Sequence, residues 1–272
     1  MIFNFAFGFG QMRNRFLVSD VERYKLKGKV KSLKYVEYEP RFSSDSTYTL
    51  KVFDFLSMAN NKVFFNEQGY LIEKNELDYD LNDSVSVSAI WKYKYDSKNR
   101  ITEEIRTPKK YGDTTSWKYN YVGDSITIIK QYNKTYKVLY YKYLQRKNIE
   151  LLTTANSDSS YRRKVVFEYD LKNRLVRQED YENSDTIHNL KIIKYKGKTI
   201  DSDFYDDRKY HFKILKKYKY DTQGNVTEIS NEKSLTGKYV YTYDEQGNWI
   251  EEKLYNAKGR LYNVYRREIE YY

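Results

Sequence analysis

The side chains best suited to bind a ligand in this chain are aromatic. The 272 residues include 32 tyrosines and three tryptophans. Such rings stack on the faces of sugars and nucleobases. Aromatic pairs between strands also stabilise a sheet, so a structural role accounts for many of the tyrosines. The candidate ligand-binding residues are Trp91, Tyr93, Trp117, Tyr119, Tyr239, Tyr241 and Trp249.

Residues that could carry catalysis are scarce. His188 and His211 are the only histidines, their spacing fits no metal site, and the chain has no cysteine. Glu103-Glu104 and Glu251-Glu252 are carboxylate pairs, the groups that a glycosidase uses. Both pairs occupy the same position after a predicted turn, which favours pairing with Lys or Arg across strands. We therefore expect no catalytic residue, no metal and no cofactor.

The charge balance is basic. Lys and Arg total 49 against 38 Asp and Glu, which gives a net charge of +11. This excess is compatible with nucleic-acid binding, but the cations are spread along the chain rather than clustered. Lys92, Lys94, Lys217 and Lys219 alternate with aromatic residues, where they would face solvent and protect strand edges. We expect weak attraction to anionic polymers and do not expect nucleic acid to be the partner.

One recurring phrase defines the elements that must position these residues. Each copy runs from Tyr-Asp through a turn to an apolar residue, and internal copies of this length are typical of repeat proteins. Weaker copies run from Phe65 to Leu71 and from Tyr255 to Leu261. The four clear copies are Tyr95–Ile101, Tyr169–Leu175, Tyr220–Val226 and Tyr243–Trp249.

The composition of each copy predicts a β-hairpin. The Asp after the Tyr can accept a hydrogen bond from the backbone two residues on. Gly224 and Gly247 then supply the positive φ of a bulge after a type I turn, and Asn99 and Asn173 hold that position in other copies. Shorter turns at Gly123-Asp124 and Gly197-Lys198 suit two-residue hairpins.

The copies together predict an all-β fold of tandem antiparallel β-hairpins in a long meander that twists and curls. In the strand before a turn, Trp91, Tyr93 and Tyr95 share one face and the intervening lysines the other. A closed array and a propeller are also compatible with the pattern, and the sequence does not decide which face is buried. We predict an N-terminal cap with the first diverged repeats over residues 11–59, and the repeat array over residues 60–272.

Residues 1–10 allow two interpretations. Phe3, Phe5, Phe7 and Phe9 alternate with smaller residues, as in an edge strand. The segment is also apolar and ends in small residues before Gln11, like the tail of a truncated secretory signal peptide. We expect export to the periplasm or cell surface, and a cytoplasmic protein if Met1 is the true start and is retained. The chain has no apolar stretch long enough for a transmembrane segment.

The turn pattern resembles the YD repeat of RHS-type proteins, Tyr-Asp-x-x-Gly-Arg-Leu. Tyr169–Leu175 matches it with Asn173 in place of Gly, and Tyr255–Leu261 matches it with Asn256 in place of Asp. The chain is similar to a short, diverged, exported bacterial member of that group. RHS-type proteins wind such repeats into a shell around a toxin, and the repeats are associated with carbohydrate binding and cell-surface contact. We expect this array to be too short to form a shell.

These observations favour a non-enzymatic exported repeat protein of the bacterial envelope that acts as a glycan- or protein-binding scaffold. Its partner would be an envelope polysaccharide or a protein. One alternative is an intracellular nucleic-acid-binding protein that uses the basic aromatic surface. Another is a fragment of an RHS-type toxin-delivery system.

Overall fold

A computed structural model describes residues 19–44, 47–53, 60–80, 84–109, 112–123, 125–132, 139–146, 149–155, 162–232 and 234–272. For residues 132, 139–146 and 149–155 the description covers the backbone alone. The predicted signal-like segment at residues 1–10 lies outside the described residues, as does Asp124 of one predicted two-residue turn.

The described chain folds into one short helix and a single sheet of nineteen strands. Every pairing between strands is antiparallel, which confirms the predicted all-β fold of tandem hairpins. The elements are α1 (Asp20–Arg23), β1 (Val30–Phe42), β2 (Tyr48–Val52), β3 (Asn61–Phe65), β4 (Leu71–Tyr79), β5 (Val85–Tyr95), β6 (Ile101–Pro108), β7 (Thr115–Val122), β8 (Ser125–Tyr132), β9 (Leu139–Arg146), β10 (Ile149–Ala155), β11 (Arg162–Tyr169), β12 (Leu175–Glu182), β13 (Ile187–Lys196), β14 (Thr199–Asp207), β15 (Phe212–Tyr220), β16 (Val226–Ser230), β17 (Leu235–Tyr243), β18 (Trp249–Asn256) and β19 (Leu261–Tyr271).

The first strand joins the two ends of the meander. From β3 to β19, each strand pairs with the next strand in the sequence. β1 pairs with β19, where Leu33 lies opposite Ile269, and with β3, where Leu33 lies opposite Val63. The C-terminal part of β1 pairs with β2. The last strand therefore has a hydrogen-bonded neighbour on both sides, which protects its edge.

The turns have the predicted hydrogen bonds. The Oδ1 atom of Asp170 accepts hydrogen bonds from the backbone N–H groups of Lys172 and Arg174, both at 2.9 Å. Asn173 then adopts a φ of 59°, and the register of the hairpin shifts by a bulge before Tyr169. The same side-chain acceptor and positive φ recur in the other clear copies, at Asp96 with Asn99, Asp221 with Gly224, and Asp244 with Gly247.

The positive φ of these turns predicts a loss of stability when the glycine is replaced. Gly224 has a φ of +85°, and a Cβ added there would meet no atom within 4 Å, so replacement strains the backbone alone. We expect Gly224→Ala to lower the unfolding free energy by about 1–2 kcal/mol. Urea denaturation measures this, with Thr222→Ala in the same exposed turn as a control expected to change it by less than about 0.5 kcal/mol. Equal losses in the two variants would contradict the assignment.

The aromatic face of the sheet is its inner face. Trp91, Tyr93 and Tyr95 are partly buried and the lysines between them are exposed, as the alternation predicts. Phe167 on β11 belongs to one apolar cluster with Ile128 on β8, although β9 and β10 separate these strands in the sheet. The sheet therefore curls, and the face that carries Trp91, Tyr93 and Tyr95 lies inside the curl.

The segment before β1, residues 19–29, packs on one end of the sheet. α1 begins with a capping box in which Ser19 and Glu22 exchange hydrogen bonds. Val21 joins a cluster with Leu33, Val63 and Phe65, and these last three are at most 1 % exposed. This cluster anchors the segment against the turns of the hairpins.

Asn248 fixes the other side of this segment. Its Oδ1 atom accepts a hydrogen bond from the N–H of Lys27 at 2.7 Å, and its Nδ2 group donates to the Lys27 carbonyl at 2.9 Å and to the Tyr271 hydroxyl at 2.8 Å. We expect Asn248→Ala to cost about 2 kcal/mol of unfolding free energy, because two backbone groups lose their partner. Asn225→Ala is the matched control. Asn225 occupies the same turn position, and its side chain donates to the Tyr243 hydroxyl but is bonded to no backbone group among the described residues. A cost as large as that of Asn248→Ala would therefore contradict the account.

Tyrosine hydroxyls tie each hairpin to the one before it. The Tyr121 hydroxyl donates to the carbonyl of Ile101 at 2.7 Å, and that of Tyr195 donates to the carbonyl of Leu175 at 2.9 Å. Tyr95 makes the same bond to Leu71. The tyrosine of one copy thus donates a hydrogen bond to a carbonyl group at the turn of the preceding copy. This bond is a second reason why tyrosine recurs in the repeat, and the periodicity of the sequence did not predict it.

Candidate functional site

Two tryptophan-centred groups lie on the inner face, and the first is built around a stacked pair. The Trp91 cluster consists of Trp91, Trp117, Lys74, Lys130, Glu76 and Arg106. The rings of Trp91 and Trp117 stack with centroids 5.0 Å apart and planes at 19°. Tyr93 lies 6.5 Å from Trp91, so three of the predicted binding residues come together here.

Each tryptophan of the Trp91 cluster has a lysine ammonium group near its ring. The Lys74 ammonium lies 5.9 Å from the Trp91 centroid and that of Lys130 lies 4.9 Å from the Trp117 centroid. Lys74 is on β4 and Lys130 is on β8, so the lysines approach the stack from opposite sides. A sugar that stacked on the lysine side of either ring would displace a lysine, as a sugar on the guanidinium side of Trp249 would displace Arg267.

The polar groups of the Trp91 cluster are also paired. The Trp91 indole N–H donates to Glu76 Oε1 at 2.6 Å, and Arg106 Nη2 donates to Glu76 Oε2 at 2.7 Å. The predicted residue Tyr119 is only 8 % exposed, and its hydroxyl donates to the buried carboxylate of Glu104. Trp91, Glu76, Arg106 and Tyr119 therefore all have hydrogen-bond partners within the protein.

The second group, the Trp249 cluster, consists of Trp249, Arg267, Glu252, Tyr35 and Tyr241. The Arg267 guanidinium carbon lies 3.5 Å from the Trp249 ring centroid and 5.9 Å from that of Tyr35. The Trp249 ring meets the Tyr35 ring edge-on at 6.0 Å and the Tyr241 ring at 6.1 Å. Two aromatic rings thus lie against one guanidinium group, and the third ring, Tyr241, packs on Trp249.

Strand register brings the Trp249 cluster together from four strands. Tyr35 on β1 lies opposite Arg267 on β19, and Glu252 on β18 lies opposite Tyr241 on β17. Tyr265 on β19 lies opposite Glu252 on its other side. Because residues directly opposite in a sheet point to the same face, the cluster shares the inner face with the other aromatic residues.

Burial disfavours the charged forms of both ionisable groups in the Trp249 cluster, Glu252 and Arg267. Burial raises the pKa of Glu252 to about 7, although the charge of Arg267 acts in the opposite direction. Burial also lowers the pKa of Arg267 to about 10. Both residues are described, yet no ion pair joins them. The Nε–H of Arg267 is buried and has no hydrogen-bond partner.

A second carboxylate lies behind Tyr265. Glu37 on β1 is 2 % exposed, and its carboxylate accepts hydrogen bonds from the Tyr265 hydroxyl at 3.2 Å and from the side-chain amide of Asn263. The backbone N–H of Glu37 donates to Asn60. Glu37 and Glu252 therefore flank Tyr265 from the two neighbouring strands.

Tyr239, Tyr241 and Trp249 lie on the inner face, and Tyr241 contacts Trp249. Among described residues, no ring contact links this group to the Trp91 cluster. Arg267 and Glu252 were not predicted as binding residues. Alternation could have indicated Arg267, because it lies two residues from Tyr265 and four from Tyr271, on the same face.

The remaining charged candidates behave as structural residues. Glu103 pairs across strands with Lys94 at 2.7 Å, and Glu251 pairs with Arg266 at 2.9 Å, as predicted. His188 lies 3.6 Å from Glu182. Among the described residues, no group of three His, Cys, Asp or Glu side chains is arranged to hold a metal ion.

No protein-family model and no curated protein matches this sequence. Among solved structures, the chain is similar to a crystal structure of a porin-like protein from Bacteroides uniformis ATCC 8492. The two share 10 % sequence identity with a TM-score of 0.49, over 90 % of this chain and 99 % of the other. We draw no functional argument from a likeness at this level. In the described part of the chain, no helix has the length and apolarity needed to cross a membrane.

Proposed function

We propose that the protein is a non-enzymatic, exported repeat protein of the bacterial envelope that binds a glycan at the Trp249 cluster. The observation that carries this proposal is the unpaired, buried Nε–H of Arg267 above the Trp249 ring. A buried donor without a partner costs about 1–3 kcal/mol. A ligand oxygen that accepts this hydrogen bond would recover that cost on binding.

The chemistry of the Trp249 cluster suits a sugar. A sugar ring has an apolar C–H face that packs on aromatic rings, and its hydroxyl groups both donate and accept hydrogen bonds. Arg267 supplies a donor, and Glu252 accepts when ionised and donates when protonated. Aromatic rings with a few convergent polar groups, one of them with a perturbed pKa, are typical of ligand sites.

The binding proposal is tested by titrating the protein with a panel of bacterial envelope glycan fragments in a calorimeter. We expect Trp249→Leu to weaken glycan binding by at least tenfold, about 1.4 kcal/mol. Trp117→Leu is the matched control, because Trp117 lies on the same face between Trp91 and Lys130. Equal losses in the two variants, or no binding by any glycan, would contradict the proposal, provided that circular dichroism shows both variants to be folded.

Export is tested separately by cell fractionation and terminal sequencing of the mature protein. The composition of residues 1–10 supports export, so we expect a mature chain that begins near Gln11 outside the cytoplasm. An intact Met1 in the cytoplasm would contradict export and would favour the nucleic-acid alternative. That alternative requires an affinity for DNA or RNA that falls steeply with salt concentration.

Glycoside hydrolysis is a second candidate, favoured by one observation. Glu37 and Glu252 share the inner face on the two strands that flank β19, with Tyr265 between them. Inverting glycosidases place a general acid of raised pKa opposite a second carboxylate, at a separation of about 6.5–9.5 Å. We expect no hydrolysis of any bound glycan. If the natural protein hydrolysed a glycan and Glu252→Gln did not, glycoside hydrolysis would replace glycan binding as the favoured function.

A further inference from the structure

Two neighbouring turns present an apolar tip among lysines. Leu171, in the turn between β11 and β12, is 95 % exposed, and the adjacent Lys172 is exposed. Lys196 and Lys198 are exposed around the turn between β13 and β14. Because both turns join an odd-numbered strand to the next, they lie at the same end of the sheet. We call Leu171, Lys172, Lys196 and Lys198 the basic tip.

The basic tip is held in place by its own hydrogen bonds. Arg174 Nη1 in the first turn donates to the carbonyl of Gly197 in the second at 2.5 Å. The Arg174 guanidinium also lies 4.2 Å from the ring centroid of Tyr195. The two turns therefore form one surface, and Leu171 projects from a closed turn whose backbone is fixed by Asp170.

The charge of the basic tip is not compensated locally. The one carboxylate of the first turn, Asp170, is bound by Arg174 through Nε at 2.8 Å and Nη2 at 2.6 Å. None of the described ion pairs includes the ammonium groups of Lys172, Lys196 or Lys198. Three cations that no described ion pair includes thus lie on the same two turns as one exposed leucine.

Other turns at the same end differ in charge. The turns at residues 66–70 and 244–248 each carry a glutamate and no lysine. The segment of residues 19–29 hydrogen-bonds to both of them, through Val21 and Lys27. The turns that this segment covers are therefore acidic, whereas Lys98 and the 67 % exposed Val122 extend the basic, apolar character of the uncovered side.

We propose that the basic tip docks on the surface of an anionic phospholipid bilayer. A single exposed apolar residue is common on proteins, but a leucine on a fixed tip among three cations combines the two forces that hold proteins at such a surface. The leucine enters the region between head groups and acyl chains, and the lysines lie against the phosphates. A soluble polyanion would need the lysines alone. This proposal is independent of glycan binding, since the Trp249 cluster lies on the inner face.

Vesicle flotation tests the proposal with the whole protein. We expect binding to vesicles of phosphatidylcholine mixed with phosphatidylglycerol and none to pure phosphatidylcholine. The triple variant Lys172→Ser, Lys196→Ser, Lys198→Ser should bind about 100-fold more weakly, since each lysine near the surface contributes roughly fivefold. Leu171→Ser should weaken binding with little change in its dependence on salt.

The matched control is a second triple variant with the same loss of charge. Lys92→Ser, Lys118→Ser and Lys217→Ser change exposed lysines on the outer face of the strands, away from the tip. This variant should retain nearly full binding. Absence of binding to anionic vesicles, or equal losses in the two triple variants, would overturn the proposal. Equal binding of the natural protein and Leu171→Ser to vesicles would also overturn it. The lysines alone would then account for the binding, and a soluble polyanion such as polyphosphate would serve equally well as the ligand.

Discussion

Replacing Phe167 with alanine is expected to lower the unfolding free energy by roughly 3–5 kcal/mol. The Phe167 ring is 0 % exposed and belongs to a cluster with Ile126 and Ile128 across the curl of the sheet. Alanine would leave a cavity between strands that are not neighbours in the sheet, so neither side could close it without moving the other. Denaturation in guanidinium chloride measures the loss.

Leu171→Ala, four residues further along the chain, is the control for this prediction. Leu171 is 95 % exposed, so the change should alter the unfolding free energy by less than about 0.5 kcal/mol. A cost below about 1 kcal/mol for Phe167→Ala would contradict the curl, because a phenylalanine on an open sheet face has little apolar surface to lose.

Raising the pH from 5 to 8 is expected to lower the unfolding free energy by roughly 2–3 kcal/mol through Glu252 alone. Burial raises the pKa of this carboxyl group to about 7, above its ordinary value of 4.5. The folded protein therefore holds a proton that the unfolded chain has lost over this range. Stability falls as the pH rises from the unfolded value through the folded one, and the loss is nearly complete at about pH 8.

The groups that face Glu252 do not titrate in this range. Arg267 stays cationic with a pKa of about 10, and burial raises the pKa of Tyr35, Tyr241 and Tyr265 above the ordinary value. Glu37 lies on the far side of Tyr265, whose hydroxyl donates to the Glu37 carboxylate.

Glu252→Gln isolates this contribution. The variant should lack that part of the pH dependence, while Glu251→Gln, on the opposite face of the same strand, should retain it. Chemical denaturation at several pH values compares the three proteins. A natural protein whose stability does not fall between about pH 5 and 8, or one whose fall persists in Glu252→Gln, would show that this carboxyl is not buried as described.

The local structure of the repeats was predictable because it is encoded within about seven residues. Asp170 and Asn173 specify their turn by a side-chain acceptor and a tolerated positive φ, both of which are properties of the residue type. Alternation in Trp91, Tyr93 and Tyr95 likewise predicted a shared face. These features need no knowledge of the rest of the chain.

The contacts that join the ends of the array could not be predicted in this way. Asn263 donates to Glu37 across 226 residues, and Asn248 binds Lys27 across 221. No short pattern marks such partners, because any polar residue on the right face could serve. The direction of the curl, shown by Phe167 packing across from Ile128, also depends on strands that are distant in sequence.

The candidate site was predictable in part. Aromatic type and alternation identified Trp249 and Tyr241, but the same criteria selected Trp117, whose ring lies between Trp91 and Lys130. Glu252 was interpreted as a pairing residue because it occupies a repeated position. Glu252 differs from Glu251 because its side chain is buried, whereas Glu251 pairs with Arg266. Which of the two is buried depends on how the whole sheet curls.

The most direct test of glycan binding at the Trp249 cluster is hydrogen exchange, measured by mass spectrometry with and without the tightest-binding glycan. Our account predicts slower exchange of backbone amides in β1, β18 and β19, which carry Tyr35, Trp249 and Arg267, with no change in β5 and β7. Protection confined to β5 and β7, or to the hairpin turns, would contradict the account and would place the ligand elsewhere.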